Sequence, residues 1–578
     1  MKAITKKRNG LGLLAVMLAC LVACAMALTA CGGSSTGGAP GQPGSSGSGE
    51  KAFVYGTTGY GTQMDDAGLN PHDTYSGWSA VRYGVGETLF KFSDSMQPEP
   101  WLATGYEFTS DTTCKITLRD DVDFSSGRHM TATAVKECLD DLIAVHDRAP
   151  ADTKISNVEA DDAGNAITIT TSEPCPALIN YLSDPYGAII DMQAGVSPDG
   201  NVSGTGPYMA SSVSDTEITL TKNEHYWNGT PKMDRVIVRA ITDGDTLTSA
   251  LQSGEIHASY GLPYASYALF QDGGRYTINS CDTSRVFFGQ MNYASPVMQD
   301  DAVRKAICQG IDRQGFVDTL LSGRGSKATG PFPDGFSFGD ATVRAEDFDP
   351  EAAKATLEAA GWVDSDGDGV RERDGQRLTV RWLTYPGRME LPLLAESVQS
   401  TLGAIGFDVQ VNSTANHTTI RKDATAWDVY ASALVSAPTG DPEYFFGTHA
   451  IQGVSANYGG YHNAKIDTLY RQLHEEFDSA KRAELGTQMT QQILDDHGMV
   501  FVSHLTMGIV SDARVAASTT QWARWSWSRP MATASRADWT AVTCVRMSMQ
   551  YSSWVTMRCK PRTWSSMRRS HEIGRAHV

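Results

Sequence analysis

Hydrophobic and polar positions alternate with two different periods along most of this chain. Short stretches rich in β-branched residues and bounded by turn formers predict strands. They lie at 52–57, 115–118, 166–171, 217–221 and 235–240. Val135, Leu139 and Leu142 recur at helical spacing and predict an amphipathic helix over 132–146. Strand and helix patterns mixed in this way indicate an α/β protein with more than one lobe.

The second half of the chain shows the same mixture with clearer helix boundaries. Asp349, Pro350 and Gly361 supply the N-cap, first-turn proline and C-terminal glycine of one helix. The predicted elements that follow are strand 378–384, helix 391–405, strand 407–411, helices 464–476 and 480–496, and strand 500–511. Gly406 closes the helix between the first two of these strands, and the short links predict that the two strands pair in parallel.

The first 30 residues have the composition of an export signal. Four basic residues precede an apolar run at 11–27, and the run ends in Leu28-Thr29-Ala30-Cys31. This box resembles the bacterial lipobox, which implies cleavage before Cys31 and acylation of its sulfur. A transmembrane anchor is the alternative, although about 17 apolar residues are at the short limit for spanning a bilayer. We predict a lipoprotein signal peptide at 1–30 and a Gly/Ser/Pro-rich flexible tether at 31–50.

Charge is unevenly distributed along the chain. The formal net charge is −18, of which 1–30 contribute +4 and 516–578 contribute +8, so that 31–515 carry −30. A surface this acidic repels nucleic acid and anionic lipid headgroups, so neither is an expected ligand. An acidic surface is compatible with an exported body held near a membrane by its tether.

The last 63 residues differ abruptly in composition from the rest. They hold six of the twelve Trp and ten basic residues, and they show no amphipathic period. We interpret 516–578 as the product of a frameshift or of adapter sequence and exclude it from functional arguments. A genuine basic tail is the alternative.

Motifs for catalysis or metal binding are weak in this sequence. It contains no His-Glu-x-x-His, no Gly-x-x-x-x-Gly-Lys-Ser/Thr and no Cys-x-x-Cys. Asp364, Asp366 and Asp368 alternate as at the start of a calcium loop, but Gly375 stands where that loop needs a glutamate. An Asp/Gly turn is the favoured interpretation, and calcium binding stays open. No catalytic residue and no cofactor are predicted.

A series of short phrases in the body resembles one family, the extracellular solute-binding proteins of ABC importers for oligopeptides, dipeptides and nickel. The phrases follow the family's order from about residue 52 to 515. They are Leu69-Asn70-Pro71-His72, Gly86-Glu87-Thr88-Leu89-Phe90, Pro100-Trp101-Leu102-Ala103, the run ITLRDDVDFSSG at 116–127, Gly204-Thr205-Gly206-Pro207-Tyr208, Asn223-Glu224-His225-Tyr226-Trp227 and Val303-Arg304-Lys305-Ala306. Their order and coverage make the resemblance specific.

The resemblance implies an α/β fold, a two-lobed periplasmic-binding-protein-like (type II) clamp with an extra subdomain in lobe I. Lobe I is then expected at 51–280 and lobe II at 281–499, with a strand at 500–515 that returns to lobe I. The two crossings, near 280–287 and 498–503, would act as hinges. A ligand would be buried in the cleft as the lobes close.

The resemblance also implies where the ligand is contacted. The expected contact residues are Tyr60 in lobe I and, in lobe II, Asn292, Tyr385, Ser436, Asp441 and Phe445. Asp441 and Phe445 have a structural alternative, as a turn cap before Pro442 and as a core ring. Dipeptide-type relatives carry an amine-pairing aspartate where this chain has Pro438, and the arginines of nickel-type relatives are missing from 182–187.

These observations predict a non-catalytic binding protein that is lipid-anchored at the outer face of the bacterial cytoplasmic membrane. It would act as a monomer, capture peptides or peptide-like solutes and deliver them to the permease and ATPase of an ABC importer. Binding of nickel or another metal chelate, with His449 as an axial ligand, is the alternative within the family. An anchored peptide hydrolase is the alternative outside it.

Overall fold

The computed structural model describes residues 51–58, 68–93, 96–271, 274–454 and 456–513. The chain divides into two units, Met1–Gly49 and Glu50–Val578, and the first lies outside the described residues. The predicted signal peptide, tether and tail, with Cys31 and Tyr60, also fall outside them. Among the residues that are described, no helix combines the length and the apolar character needed to cross a bilayer.

Strands make up most of the regular structure of the described body. They are β1 (Ala52–Thr57), β2 (Glu87–Thr88), β3 (Phe90–Phe92), β4 (Pro98–Pro100), β5 (Ala103–Ser110), β6 (Thr113–Leu118), β7 (Ile155–Asp161), β8 (Ala166–Thr171), β9 (Ala188–Ile189), β10 (Tyr208–Val213), β11 (Glu217–Lys222), β12 (Arg235–Ala240), β13 (Ala258–Tyr260), β14 (Tyr276–Met291), β15 (Gly325–Lys327), β16 (Glu372–Arg373), β17 (Gln376–Arg377), β18 (Thr379–Thr384), β19 (Asp408–Ser413), β20 (Val429–Val435) and β21 (Met499–Asp512).

Helices connect these strands. They are α1 (Ser76–Arg82), α2 (Ala132–Val145), α3 (Ala149–Thr153), α4 (Leu178–Tyr181), α5 (Gly244–Ser253), α6 (Asp301–Gly310), α7 (Arg313–Gly315), α8 (Pro350–Ala359), α9 (Glu390–Gly403), α10 (His417–Ile420), α11 (Glu443–His449), α12 (Ala464–Glu475) and α13 (Ser479–Asp495). Short 3-10 turns lie at Pro185–Gly187, Tyr264–Phe270 and Asp340–Thr342, and a π turn lies at Phe316–Leu320.

The elements predicted from the sequence are confirmed, most of them to within one or two residues. The strands at 52–57, 166–171 and 235–240 have the predicted bounds. The carboxylate of Asp349 accepts a hydrogen bond from the backbone N–H of Ala352 at 2.9 Å and so caps α8. Gly361 follows α8 with φ +85° and Gly406 follows α9 with φ +101°, both in the left-handed region that glycine tolerates.

One sheet runs through the body, in the order β10-β11-β12-β1-β13-β21-β14-β20-β18-β19, with β15 also paired to β21. β1 is parallel to β12 and β13, and β18 is parallel to β19 and β20, which confirms the predicted strand–helix–strand unit. The long strands β14 and β21 lie antiparallel in the middle. We call the elements from β1 to β13 lobe I and those from α6 to α13 lobe II, and β14 and β21 join them.

Each lobe has its own hydrophobic core. One large cluster of buried side chains lies in lobe I and includes residues from β6, α2 and β8. Two others lie mainly in lobe II, one under β18 and α9 and one around α11, α12 and α13. A separate antiparallel sheet, β5-β6-β8-β7, packs against α2 and forms an added subdomain of lobe I.

Four of the short phrases quoted above meet at one buried carboxylate, that of Glu87. Its oxygens accept hydrogen bonds from the indole N–H groups of Trp101 at 3.0 Å and Trp227 at 2.9 Å. They also accept from the hydroxyls of Thr205 at 3.1 Å and Tyr226 at 3.2 Å. Burial raises the pKa of Glu87, and these four donors oppose that rise. The phrases therefore hold distant segments of lobe I together.

Candidate ligand-binding site

The carboxyl ends of the parallel strands in both lobes point to the junction between the lobes. β13 runs in the direction of β14, because both are antiparallel to β21. β20 and β18 run the opposite way, because β20 is antiparallel to β14 and parallel to β18. Open α/β sheets bind ligands beyond the carboxyl ends of their strands. The junction, where Arg285 of β14 pairs with Val435 of β20, is therefore the candidate site.

Three arginines from separate segments form a cluster at this junction. Arg82 is the last residue of α1, Arg285 lies beside an irregularity in the pairing of β14 with β21, and Arg388 precedes α9. Burial raises the pKa of Tyr260, the last residue of β13, and the positive charges of all three arginines lower it. Because the charges of all three guanidinium groups act on the hydroxyl of Tyr260, we call Arg82, Arg285 and Arg388 the arginine cluster.

Arg285 is the member of the arginine cluster whose pKa is lowered by its surroundings. Arg285 is partly buried, and none of the described carboxylates forms an ion pair with it. Burial, followed by the positive charge of Arg388, lowers the pKa of Arg285 to about 10. Tyr260, Tyr385 and Glu390 act in the opposite direction. A guanidinium group in these surroundings is stabilised by an anion that brings a matching charge.

Arg82 contributes a buried donor that none of the described residues uses. Its Nε atom is buried, and none of the described residues offers it a hydrogen-bond acceptor. Burial raises the pKa of Tyr55 well above its usual value, while the charge of Arg82 lowers it. An unsatisfied buried donor costs about 1–3 kcal/mol. A ligand oxygen at this position would remove that cost.

Glu390 is the acidic residue next to the arginine cluster. It is the first residue of α9, it is buried, and its Oε1 accepts a hydrogen bond from the hydroxyl of Tyr264 at 2.6 Å. Tyr264 follows β13 and packs against the core under β18, so this bond ties the two lobes together. Among the described residues, Glu390 is the carboxylate that acts on both Tyr260 and Arg285.

Tyr385 lies at the arginine cluster, as its place after β18 predicts. Its ring stacks on the imidazole of His417 with centroids 4.1 Å apart, and its hydroxyl accepts from the backbone N–H of Ala433 at 3.4 Å. Tyr385 is one of the groups that raise the pKa of Arg285. The contact of Tyr385 with a ligand stays a prediction.

Asn292 and Ser436 lie in the protein interior, and their polar groups bind backbone. The amide of Asn292 donates to the carbonyl oxygens of Ala424 and Trp427, each at 2.7 Å. The hydroxyl of Ser436 donates to the carbonyl oxygen of Ser284 at 3.0 Å. In this arrangement both side chains fix chain segments that border the junction. Their contact with a ligand stays a prediction.

Asp441 and Phe445 likewise have protein partners. Both oxygens of Asp441 are bound by the guanidinium of Arg482, at 2.7 and 2.8 Å, and Oδ1 also accepts from the backbone N–H of Glu443. Phe445 is fully buried in an aromatic group with Phe332, 5.7 Å away between ring centroids. These are the turn-capping and core roles that were the structural alternative for the two residues.

His449 is buried at the end of α11. Its ring lies parallel to that of Phe445 with centroids 5.6 Å apart, and its Nδ1 is 2.6 Å from the hydroxyl of Thr448. Burial lowers the pKa of His449 to about 4, so the imidazole is neutral near neutral pH. A neutral imidazole is the form that binds metals, but here the ring is packed within the core of lobe II.

The arginine cluster was missed by the sequence patterns because its members are far apart in the chain. A weak signal exists at Arg285, a charged residue at the start of the apolar run Val286-Phe287-Phe288. Arg388 and Arg82 sit beside Tyr-rich turns that carry no recognisable motif. Tyr60, the contact predicted for lobe I, is outside the described residues.

A Cys–His–Asp arrangement in lobe I looks like a catalytic triad but lacks an activated thiol. The Sγ of Cys138 is 3.5 Å from Nε2 of His72, whose Nδ1 is 2.7 Å from Asp141. Cys138 is buried, and burial raises its pKa to about 12. A nucleophilic cysteine needs a thiolate and access to substrate. These three residues therefore give no argument for nucleophilic catalysis.

The acidic loop after α8 has the geometry of a turn. The oxygens of Asp364 accept hydrogen bonds from the backbone N–H groups of Gly367 at 2.8 Å and Gly369 at 3.0 Å. Carboxylate oxygens of Asp364, Asp366 and Glu372 lie within 4.8 Å of one another at the surface. Backbone bonds account for the cluster, and calcium binding stays an open alternative.

Comparison with known proteins agrees with the phrases seen in the sequence. Residues 97–456 match the model of the family described as bacterial extracellular solute-binding proteins, family 5 Middle. The nickel-binding protein NikA of Staphylococcus aureus is 26% identical over 75% of this chain and 86% of its own length. The glutathione-binding protein GsiB of Salmonella paratyphi A is 29% identical over 51% of this chain and 60% of its own length.

Solved structures of similar proteins share the fold. The nickel ABC transporter protein of Bacillus halodurans superimposes with a TM-score of 0.69 and 27% identity, covering 80% of this chain and 96% of that one. Staphylococcus aureus NikA in complex with Ni(L-His)2 gives 0.65 and 25%, covering 80% and 95%. The body has the two-lobed, type II periplasmic-binding-protein-like fold with its added subdomain. The chain belongs to the bacterial extracellular solute-binding proteins of family 5, which serve ABC importers.

Proposed function

We propose that this protein is the lipid-anchored, non-catalytic receptor of an ABC importer and that its cargo is a small solute bearing carboxylates. It captures the solute between the lobes and delivers it to the permease from the outer face of the cytoplasmic membrane. The observation that carries the cargo class is the arginine cluster. Three guanidinium groups act on one tyrosine hydroxyl, and Glu390 is the carboxylate beside them.

Carboxylates fit this site for two physical reasons. A guanidinium group presents parallel N–H donors that match the two oxygens of a carboxylate. A partly buried positive charge that has no counter-ion among the described residues, such as that of Arg285, gains most from an anion that accompanies it out of water. Tyr385 and Tyr60, aromatic residues with few rotatable bonds, are proposed to cover the apolar part of the solute.

Two cargoes share this chemistry. A metal ion chelated by amino acids carries the carboxylates of its chelator, and relatives of this chain bind nickel, in one structure as Ni(L-His)2. A small peptide carries its own carboxylates, and other relatives bind glutathione or D,D-dipeptides. A carboxylate-bearing peptide such as glutathione is the first candidate, because it brings a net negative charge to the arginine cluster. The chelate is second, with the arginine cluster in place of the arginines that 182–187 lacks.

Calorimetry with the purified protein tests the cargo class. The probes are Ni²⁺ with two equivalents of L-histidine, glutathione, and a dipeptide mixture. Arg285→Ala should lower the affinity for whichever probe binds by about 30- to 150-fold. This change corresponds to the loss of one charge-assisted hydrogen-bonded contact of about 2–3 kcal/mol. Arg377→Ala, which alters an exposed arginine paired with Asp368, should leave affinity unchanged. Equal affinity of Arg285→Ala and the parent, or no binding of any carboxylate probe, would overturn the proposal.

The two cargoes are separated by further variants. If the nickel chelate binds, His449→Ala shows whether the protein adds a ligand of its own to the metal. The buried position of His449 favours unchanged affinity, with all metal ligands supplied by the chelator. If a peptide binds, Asp441→Ala tests the predicted role of that carboxylate. Asp441→Ala should instead reduce stability, because Arg482 would lose its buried partner.

The lipid anchor is tested at Cys31. Acyl chains contribute about 0.8 kcal/mol per buried methylene, so more than one chain gives stable attachment. Cys31→Ala should release the protein from the membrane fraction or block its processing. If processed Cys31→Ala protein were still found in the membrane fraction, the anchor through Cys31 would be contradicted.

The competing hydrolase activity is tested by prolonged incubation with a peptide pool. Mass spectrometry should find the pool intact and, after native purification, a retained solute. Sustained cleavage by the pure protein would show that it is an enzyme.

A further inference from the structure

The two lobes touch at a second place, which we call the seam. The side-chain amide of Asn180, in lobe I, donates to the carbonyl oxygen of Thr439, in lobe II, at 2.8 Å. The rings of Phe108 on β5 and Phe477 between α12 and α13 pack edge to face, with centroids 5.2 Å apart. The seam therefore joins lobe I, including its added subdomain, to the helical part of lobe II.

A row of alternating charges crosses the seam. In lobe I, Nζ of Lys154 is 2.9 Å from Oε1 of Glu173. The same Glu173 oxygen is 3.7 Å from Nε2 of His474, on α12 of lobe II. The other ring nitrogen of His474, Nδ1, is 2.7 Å from Oε1 of Glu443 on α11. Arg482 on α13 binds the second oxygen of Glu443 at 2.7 Å. His474 thus stands between one carboxylate from each lobe.

We propose that protonated His474 is a latch between the lobes, so that acidic pH favours closure of the clamp and alkaline pH weakens it. The imidazolium carries an N–H on each ring nitrogen. Nδ1 donates to Glu443, and Nε2–H faces Glu173 at 3.7 Å as an ion pair, so the protonated ring is matched to both carboxylates. The neutral ring has one N–H, so it can donate to one of the two carboxylates. The other carboxylate then faces the lone pair of the second ring nitrogen, which repels it. The latch rests on the two-lobed fold and is independent of which solute is bound.

The direction of the pH effect follows from the groups around the imidazole. The hydrogen bond that His474 donates to Glu443 raises the pKa of His474 most. Burial lowers this pKa, the charges of Glu443 and Glu173 raise it, and the charge of Lys154 lowers it. Glu443 belongs to the same lobe, so it acts whether the lobes are apart or together. Glu173 acts when they meet, and proton binding is therefore linked to closure.

The pH window follows from this linkage. Two other groups face His474 from its own lobe. The ring of Tyr470 lies parallel to the imidazole with centroids 6.3 Å apart, and Arg482 is paired with Glu443. Because both belong to lobe II, their effect on His474 is the same in the open and closed forms. Closure raises the pKa of His474 above its value in the open form. The latch is therefore fully present below the open-form pKa and is lost as the pH rises through the closed-form pKa. An ordinary histidine titrates near pH 6.5, so the loss falls above about that pH.

The expected effect is moderate. The side chains of Glu173 and His474 are 46% and 30% exposed, and ion pairs of this kind change an equilibrium by about 1.4- to fivefold. Hydrogen exchange of seam amides reports such a change without any ligand. The segments 174–181 and 436–442 contain the two sides of the Asn180–Thr439 bond.

The experiment is hydrogen–deuterium exchange with mass spectrometry on the full chain, without solute, at pH 6 and pH 8. After correction for intrinsic exchange rates, protection of the two segments in the parent protein should fall about 1.4- to fivefold at pH 8. Glu173→Gln should show the lower protection at both pH values. Because Glu173 is exposed, this variant keeps the Glu443–Arg482 pair and the fold of lobe II intact.

The matched control is His462→Gln. His462 pairs with Asp467 at 3.0 Å within lobe II, so its loss should leave seam protection and its pH dependence unchanged. The latch is wrong if Glu173→Gln keeps the parent's pH dependence, or if His462→Gln abolishes it. Since no solute is present, either result leaves the proposed cargo untouched, and failure of the carboxylate probes to bind leaves the latch untouched.

Discussion

At the scale of single residues, buried charges in this protein differ in where their partners come from. Asp441 is matched by Arg482, and Glu87 is matched by four side-chain donors of lobe I. Arg285 is compensated by no ion pair among the described residues. A group whose partners are internal contributes to folding, whereas a group without them is available to an external ion. We expect this difference, rather than position in a motif, to separate structural residues from ligand contacts in this protein.

The buried neutral imidazole of His449 predicts an acid-sensitive contribution to stability. Its pKa falls to about 4 in the folded protein, against about 6.5 when unfolded. A depressed pKa gives stability that is present above the unfolded value and is lost as the pH falls towards the folded value. At pH 5 the loss is about 2 kcal/mol. His449→Gln should therefore lose less thermal stability than the parent between pH 7.5 and pH 5, as measured by calorimetric melting.

His462→Gln is the control for this comparison, because His462 is exposed. It should follow the parent's pH profile. A His449→Gln profile that runs parallel to that of the parent would show that His449 is not a buried neutral group.

At the scale of helices and strands, the sequence was a good guide because element ends are set by local chemistry. The Asp349 cap, Pro350 and Gly361 lie within one short segment and need no tertiary information. The parallel pairing of β18 with β19 followed from the length of the links alone. Pairings such as β13 with β21 join residues about 250 positions apart, and no local pattern predicts them.

The end of α9 provides a test with two neighbouring glycines. Gly406 has φ +101°, and a Cβ there would lie 2.6 Å from Cγ of Arg371, a buried side chain. Gly406→Ala should lower the free energy of unfolding by about 2 kcal/mol or more, from backbone strain and this clash. Gly403 is the last residue of the helix, and a Cβ there meets nothing within 4 Å.

Gly403→Ala should therefore be neutral or raise stability by up to about 1 kcal/mol, through helix propensity. Urea denaturation measures both changes. Equal effects of the two substitutions would contradict the left-handed conformation at Gly406.

At the scale of the whole molecule, the candidate site could not be predicted from the sequence, although the fold could. The family phrases imply the clamp, and the clamp implies a cleft between lobes. The cationic lining of that cleft comes from α1, β14 and the segment before α9, which meet through the tertiary fold alone. Of the predicted contacts that are described, Tyr385 lies at the cluster, and Asn292, Ser436, Asp441 and Phe445 have internal partners.

The overall charge of the body predicts how salt affects capture of an anionic solute. Residues 31–515 carry a formal charge of −30, while the arginine cluster is a local positive site. Long-range repulsion slows the approach of an anion. The Debye length, beyond which charges are largely screened, falls from about 30 Å at 0.01 M salt to about 8 Å at 0.15 M. The association rate of an anionic solute such as glutathione should therefore increase between these ionic strengths.

Stopped-flow tryptophan fluorescence measures this rate. A neutral chelate, nickel with two histidinate ions, serves as the control and should associate at a rate that is nearly independent of salt. A rate that falls steeply with salt for the anionic solute would show that the local arginine cluster dominates the field.

Glu87 and its four hydrogen-bond donors, which we call the hub, are distinct from the residues proposed to bind the solute. The side chains that meet there come from four of the phrases through which the chain resembles its relatives, and they lie in the interior of lobe I. Arg82, Arg285 and Arg388 belong to none of those phrases. The resemblance to the family therefore rests on interior residues outside the proposed site, and two proteins with the same phrases can carry different cargo. The same separation makes the cleft open to redesign, for example as a biosensor, with the hub left unaltered.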